Sequence, residues 1–278
     1  MGRTLVTTPF VGELGWEIFS WQPLIRSLAI SEPWDKIIVY TRPGRSLLYP
    51  WAEVRDNPPG PDHEPECLLW HDFDKTKTAE FNAMTSIVTE SAKAEFGPDA
   101  AIFSIASLDR FNYPFYERGS PDLLKIPVID ADNDNQPLIV LCVRDRPMSD
   151  YRNWPIQKWR DLAEKLPGNV KVVGKVQNKC AWEDVFANSD NRINLDVNET
   201  TIDDLIHLFS VTDLAIGGST GTLHLASRCA CDHLVWGGEK EVHRYAETNW
   251  FGARHKVMEV GWDPEVVEVI ETAKEMQA

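Results

Sequence analysis

The sequence predicts an α/β protein of two Rossmann-like domains, and three observations predict it. Short apolar runs, too brief for helices, alternate with amphipathic stretches of helical period. That alternation begins twice, once at the N-terminus and again at Leu138. Between the two starts lies an acidic, breaker-rich segment, Asp130-Ala131-Asp132-Asn133-Asp134-Asn135-Gln136-Pro137. The 278 residues suit two such domains of about 130 residues each. The predicted division is 1–135, 136–262 and a C-terminal helix over 263–278 that can pack back on the first domain. Two α/β domains joined by an acidic hinge set a cleft between them, and ligands of such sheets sit at the carboxyl ends of the strands.

Taken in order, Arg3 to Thr8 reads as a first strand, followed by a loop, Pro9-Phe10-Val11-Gly12-Glu13-Leu14-Gly15. From Trp16 the pattern turns helical, with Ile18, Trp21, Leu24, Ile25 and Leu28 near one face. Pro23 removes a helical hydrogen bond, so a kink is expected there. Ile37-Ile38-Val39-Tyr40 is a second strand, and residues 41–76, rich in Pro, Asp and Trp, read as a surface excursion. Lys77 to Phe96 forms a long helix and Ala100 to Phe103 a strand.

Past the hinge, Leu138 to Val143 is a continuous apolar run suited to a strand buried on both faces. A loop dense in Arg and Asp, Arg144 to Asn153, leads to Pro155, which opens a helix whose inner face is Ile156, Trp159, Leu162, Ala163 and Leu166. Val170 to Val173 is the next strand. Thr201 and Asp204 start a further helix in the manner of a capping box, with Ile202, Leu205, Ile206 and Phe209 on its inner face. His233 to Trp236 and Lys256 to Val260 are strands, and Asp263-Pro264 caps and opens the last helix.

Composition bounds the class. The chain is 43% hydrophobic and 26% charged, as soluble globular proteins are, and has no apolar run of membrane-spanning length. It opens without a secretory segment, so a cytoplasmic location is expected. Its five cysteines are odd in number and scattered, which fits reduced thiols, and no pair is spaced for a structural zinc. A net charge of −15 argues against non-specific attraction to nucleic acid or anionic membrane. Eleven tryptophans are compatible with stacking on sugar rings, although most should be core.

Two metal-like patterns carry little. Asp72-Phe73-Asp74, with His63, Glu64, Cys67 and His71 near it in sequence, matches a D-x-D but follows no clear strand. The hinge opens like a calcium loop, but its sixth position is Asn135 rather than glycine and its twelfth is Leu141 rather than glutamate. No metal is expected.

The most informative stretch is Asp213-Leu214-Ala215-Ile216-Gly217-Gly218-Ser219-Thr220-Gly221-Thr222-Leu223-His224-Leu225-Ala226. It reads as a short buried strand, a turn at the glycines capped by Ser219 or Thr220, and the start of a helix. The first helical turn leaves backbone N–H groups without partners, which makes an anion site. No lysine follows the glycines, so this is not a Walker loop, and any phosphate held here needs a cation from elsewhere.

One combination of segments is more specific than any single piece. Arg152-Asn153-Trp154-Pro155-Ile156-Gln157-Lys158-Trp159, then Leu162-Ala163-Glu164-Lys165-Leu166, then Ser219 to Ala226, then Val235-Trp236-Gly237 resembles the C-terminal half of the ADP-heptose:lipopolysaccharide heptosyltransferases. Leu14-Gly15-Trp16-Glu17-Ile18, with Pro23 and Leu24 downstream, is similar to that family's Leu-Gly-Asp loop and following helix. The resemblance implies the GT-B architecture and an inverting glycosyl transfer from a nucleotide-diphosphate sugar, without metal or cofactor. It implies that Arg152 contacts the donor diphosphate, with Arg144 in the same loop, and that Thr220, Gly221 and Thr222 hold phosphate through backbone amides. His224 matches the family's histidine, as a ligand contact or as a side chain packed under the loop.

Two departures stand out. Ser219 occupies the place of a family aspartate, and the catalytic Asp expected after Leu-Gly is here Trp16, with Glu17 one residue later. Glu17 is the first candidate for the general base and Glu13 the second, with Gly12 and Gly15 in the expected acceptor loop. The expected partners are a nucleotide sugar and a saccharide or other small acceptor. Three alternatives stay open: a DNA base or other polymer as acceptor, a nucleotide-sugar epimerase, and a binding protein without catalysis.

Overall fold

A computed structural model describes residues 3–10, 14–56, 75–104, 122–127, 136–147, 149–249 and 251–277. The chain divides into two compact units, Met1–Asp122 and Leu123–Ala278, each built on a parallel sheet.

In the first unit, β1 (Thr4–Thr7), β2 (Lys36–Thr41), β3 (Glu53–Asp56) and β4 (Ala101–Phe103) lie in the order β3-β2-β1-β4, all parallel. Val6 sits opposite both Ile38 and Ile102, at the centre of the sheet. The first three helical segments are α1 (Leu14–Trp16), α2 (Gln22–Ser31) and α3 (Lys75–Phe96). Val88 and Ala92 of α3, one turn apart and so on one face, close the core over Val6, Ile38 and Tyr40.

β3 corrects the reading of 41–76 as pure excursion. Its residues, Glu53-Val54-Arg55-Asp56, carry the charges of an edge strand and no apolar run, so pattern alone misses it. Leu48 and Tyr49 just before it are buried.

The break expected at Pro23 takes another form. Between α1 and α2 the backbone widens into a π turn, Glu17–Trp21. Pro23 then falls in the first turn of α2, directly after the widened turn. The wider turn also shifts the buried face, which comprises Ile18, Trp21, Gln22, Ile25 and Ala29, with Leu24 and Leu28 only half-buried.

The second unit has six parallel strands. β5 (Leu138–Arg144), β6 (Asn169–Lys175), β7 (Ile193–Val197), β8 (Leu214–Gly218), β9 (His233–Trp236) and β10 (His255–Met258) lie in the order β10-β9-β8-β5-β6-β7. Counted within the unit this is 3-2-1-4-5-6, the doubly wound order of dinucleotide folds. Its topological switch point falls between β5 and β8. The helices are α4 (Ile156–Lys165), α5 (Lys179–Phe186), α6 (Ile202–Val211), α7 (Gly221–Arg228), α8 (Glu239–Thr248) and α9 (Val266–Gln277).

The core of this unit gathers Ile139, Leu141, Leu162, Val172, Ile216 and Leu234 around three tryptophans. Trp154, Trp159 and Trp236 stand 4.9–5.3 Å apart between ring centroids. Val269, Ile270 and Ala273 of α9 pack into the same core. Arg192 satisfies the C-terminal carbonyls of α4, donating to Ala163, Glu164 and Leu166 at 2.8–3.2 Å.

Several boundaries differ from expectation. Pro155 is the N-cap of α4 rather than its first residue. α9 starts at Val266, because Asp263 accepts from Lys158 Nζ at 2.8 Å and the Pro264 carbonyl accepts from Trp154 Nε1 at 3.1 Å, which holds both outside the helix. Between Val176 and Thr200, and after Gly238, the elements α5, β7 and α8 go beyond the sequence reading. The capping box of Thr201 and Asp204 is present as read.

The largest correction concerns the glycines: Gly217 and Gly218 end strand β8 and do not form the turn. A Cβ on Gly217 would stand 2.7 Å from the Cys142 carbonyl and 2.9 Å from Leu223. On Gly218 it would press on the Trp236 indole at 3.3 Å. Close packing, not turn geometry, demands glycine at Gly217 and leaves little room for a side chain at Gly218.

Candidate functional site

β5 and β8 run side by side, with Leu141 opposite Ile216 and Cys142 opposite Gly217, so their carboxyl ends deliver Arg144 and Ser219 to the switch point. Helices leave on opposite faces there, and a parallel sheet opens a crevice at that place. Two segments line it: the loop after β5 and the bend between β8 and α7.

The loop is folded around Arg144 and Asn153. Arg144 Nη1 donates to the Ser149 carbonyl at 3.0 Å and to Asn153 Oδ1. Asn153 closes a two-way clasp on Arg146, accepting from its N–H at 3.2 Å and donating to its carbonyl at 2.8 Å. Ser149 takes a left-handed conformation, φ 54°, which turns the chain into the short 3₁₀ segment Asp150–Arg152. The outcome is that Arg152 reaches the bend: its Nη2 donates to the Ser219 carbonyl. Its guanidinium also lies 4.4 Å above the Trp262 ring. Arg144 thus shapes the loop and Arg152 brings charge to the turn.

The bend has a buried underside and an accessible lip. Ser219 is fully buried, and its N–H donates to the Trp236 carbonyl at 3.0 Å. Thr220 is the N-cap, extended at φ −140°, with Oγ1 accepting from the Leu223 N–H at 3.4 Å. Thr220, Gly221 and Thr222 are half-buried. By helix geometry the amides of Gly221 and Thr222 point out along the axis, toward an incoming anion.

Beneath the lip runs a ladder of rings, buried at His224, Tyr245 and His233 and half-buried at His255. His224 stacks on Tyr245 at 4.3 Å, Tyr245 meets His233 at 5.6 Å, and His233 stacks on His255 at 5.6 Å. Burial drives the His224 imidazole well below its ordinary pKa, and the charges of Arg244, His233 and Arg152 push it further down. Burial also raises the Tyr245 phenol, against the opposing influence of the Ser219 hydroxyl and the Thr220 backbone. Those two hydroxyls are near one another, yet neither completes a hydrogen bond of good geometry among the described residues. Tyr245 and Trp262 escaped the sequence reading because nothing local sets them apart from core aromatics.

The ladder sets a pH dependence. Burial lowers His233 to about 4 from 6.5, partly offset by its hydrogen bond to the Cys231 carbonyl. A base weakened by folding is protonated more readily in the unfolded chain, so stability is complete above about pH 6.5 and declines as pH falls toward 4. The loss from His233 is about 3 kcal/mol, and His224 adds to it in the same direction. Urea titrations at pH 7.5, 5.5 and 4 should show this decline, reduced in His233→Asn. An unchanged slope in that variant would count against the ring as its source.

In the first unit, Glu17 opens the π turn and is 1% exposed. Its Oε2 accepts from Arg45 and its Oε1 from the Tyr49 hydroxyl, the latter at 2.9 Å. π turns concentrate at functional sites. Gly15 lies within α1. Gly12 and Glu13 lie outside the described residues, as do the D-x-D segment with its neighbouring histidines and most of the hinge. Among the described residues no group of three or more His, Cys, Asp or Glu could hold a metal ion. Cys142, Cys180, Cys229 and Cys231 are free thiols, and burial pushes Cys229 up to about 12. Among the described residues no helix is long and apolar enough to cross a membrane.

No protein-family profile matches the chain, and no curated protein is similar to it in sequence. Solved structures are similar in fold. The E. coli heptosyltransferase WaaC with ADP superposes at a TM-score of 0.58, with 12% identity over 99% of both chains. E. coli ADP-heptose LPS heptosyltransferase II gives 0.60 with 15% identity, over 99% of this chain and 98% of that one. A glycosyl transferase family 9 protein from Veillonella parvula gives 0.61 with 11% identity, over 99% and 97%. The chain has the GT-B fold. At these identities the likeness carries the fold alone, and it bears out the two α/β domains with parallel sheets expected from the sequence. In GT-B terms, the loop and bend described above belong to the second α/β unit.

Proposed function

We propose that this GT-B protein is a glycosyltransferase that moves a sugar from a nucleotide-diphosphate donor to a hydroxyl acceptor, with inversion and without a metal. One observation carries the reading: Arg152 is hydrogen-bonded at the Ser219 carbonyl, beside the first turn of α7, at the switch point of a doubly wound sheet. A guanidinium beside a helix N-terminus suits a diphosphate, since both supply donors to its oxygens. The same groups suit the leaving diphosphate, which gathers charge as the bond to the anomeric carbon breaks.

In the proposed reaction the acceptor oxygen attacks the anomeric carbon from the side opposite the diphosphate. The bond to the diphosphate oxygen breaks with its electron pair, and the acceptor proton passes to a carboxylate. Arg152, Thr220, Gly221 and Thr222 hold the diphosphate, Arg144 shapes the loop, and Ser219 and His224 support the bend from below. Of the two carboxylates, Glu13 is the better base, because both Glu17 oxygens are engaged by Arg45 and Tyr49. The first unit supplies base and acceptor seat, and the second grips the donor.

Thermal shift tests this reading. At 100 times its dissociation constant a nucleoside diphosphate or its sugar should add about 2.7 kcal/mol, raising the melting temperature by about 5–10 °C. A panel of purine and pyrimidine diphosphates and their sugars, none of which moves the melt, would sink it.

A further inference from the structure

We propose that Trp262 is a positioning residue for the diphosphate anchor, holding the Arg152 guanidinium over the bend through the face of its indole. This rests on the diphosphate reading above and adds to it a residue far from both segments in sequence. Three contacts define the arrangement. The Arg152 guanidinium carbon lies 4.4 Å from the Trp262 ring centroid. One of its N–H groups meets the Ser219 carbonyl. Tyr151, 66% exposed, meets the Trp262 ring in an edge contact, 6.2 Å between centroids at 79°.

The division of labour follows from the shape of the guanidinium. Its donors lie in its plane, while its attraction to an aromatic ring acts through its face. Stacking on Trp262 therefore fixes the cation without drawing on the in-plane edge that a phosphate oxygen needs. A bare arginine on an exposed loop would have to give up its rotamer freedom when the anion arrives, and one already stacked gives up less.

Trp262 is itself fixed from both sides. Before it, Gly261 turns at φ 75° and donates its N–H to the Gly237 carbonyl at 3.1 Å. After it, Asp263 is tied to Lys158 at the surface of α4 and Pro264 to Trp154 of the core. A ring held in this way transmits the position of the core to the loop that carries Arg152. Apolar packing alone would not need a ring here, because Trp262 is only half-buried.

The test uses inorganic pyrophosphate as probe and the full chain, by isothermal titration. Trp262→Leu should weaken binding about ten-fold, and Trp262→Phe, which keeps an aromatic face, by no more than about three-fold. In an Arg152→Ala background, Trp262→Leu should have no further effect, since the ring acts through the arginine. Unchanged binding in Trp262→Leu, or an equal loss in the Arg152→Ala background, overturns the positioning role and leaves the diphosphate reading standing. Failure of the unaltered chain to bind pyrophosphate overturns both. Should Trp262→Leu not fold, Tyr151→Ala removes only the exposed edge contact, and a two- to three-fold loss is expected, roughly, from a weakened stack. No loss there overturns the proposal too.

Discussion

Arg152→Ala is expected to weaken nucleoside diphosphate binding by about 100-fold while leaving the fold intact. The guanidinium offers charge-assisted bonds to phosphate, each worth about 1.5–3 kcal/mol, and it is already hydrogen-bonded at the bend. Arg152 itself is half-buried, held by the Ser219 carbonyl and the Trp262 face among its contacts, so truncation removes little core packing. Arg152→Lys should recover only part of the loss, because an ammonium keeps the charge but not the planar fork. Titration of a diphosphate against the three proteins, with urea melts as a control on folding, measures this. Equal affinity in Arg152→Ala would remove the anchor from the reaction.

The second large effect separates two glutamates that lie four residues apart. Glu13→Gln should reduce turnover by roughly 100- to 10,000-fold with donor affinity unchanged, as expected for loss of a general base. Glu17→Gln should show itself first as instability: breaking a buried pair leaves Arg45 uncompensated and costs about 3–5 kcal/mol. The two variants therefore diverge in different measurements, kcat for one and the denaturation midpoint for the other. A Glu17→Gln protein that melts normally but has lost turnover would reverse the assignment and make Glu17 the base.

Much of the framework could be read from residues alone, because it rests on local rules. The run Leu138 to Val143, the capping box at Thr201 and the inner face of α4 each declare themselves through period or chemistry. What escaped did so for physical reasons. β3 is a charged edge strand whose partner lies elsewhere in the chain, so alternation gives no sign of it. The π turn after α1 inserts a residue that no fixed helical period anticipates. At the bend, glycine was read as a turn signal, whereas its reason is contact with Cys142 and Trp236, which only the folded sheet brings near. Arg152 was legible as a cation near an Asn-Trp-Pro segment. Its hold on Ser219, and Trp262 beneath it, come from segments 67 and 110 residues away and are properties of the fold.

The three core tryptophans have a practical corollary. Trp236 accepts the Ser219 amide and lies under Gly218, Trp159 anchors α4, and Trp154 is bonded to the segment that follows Trp262. These indoles are dry and mutually close, so excitation should migrate among them. A shift of the bend by a fraction of an ångström changes the surroundings of one member and with it the emission of the set. On the proposed diphosphate reading, the tryptophan emission is therefore expected to change when the anion binds, with no dye to attach.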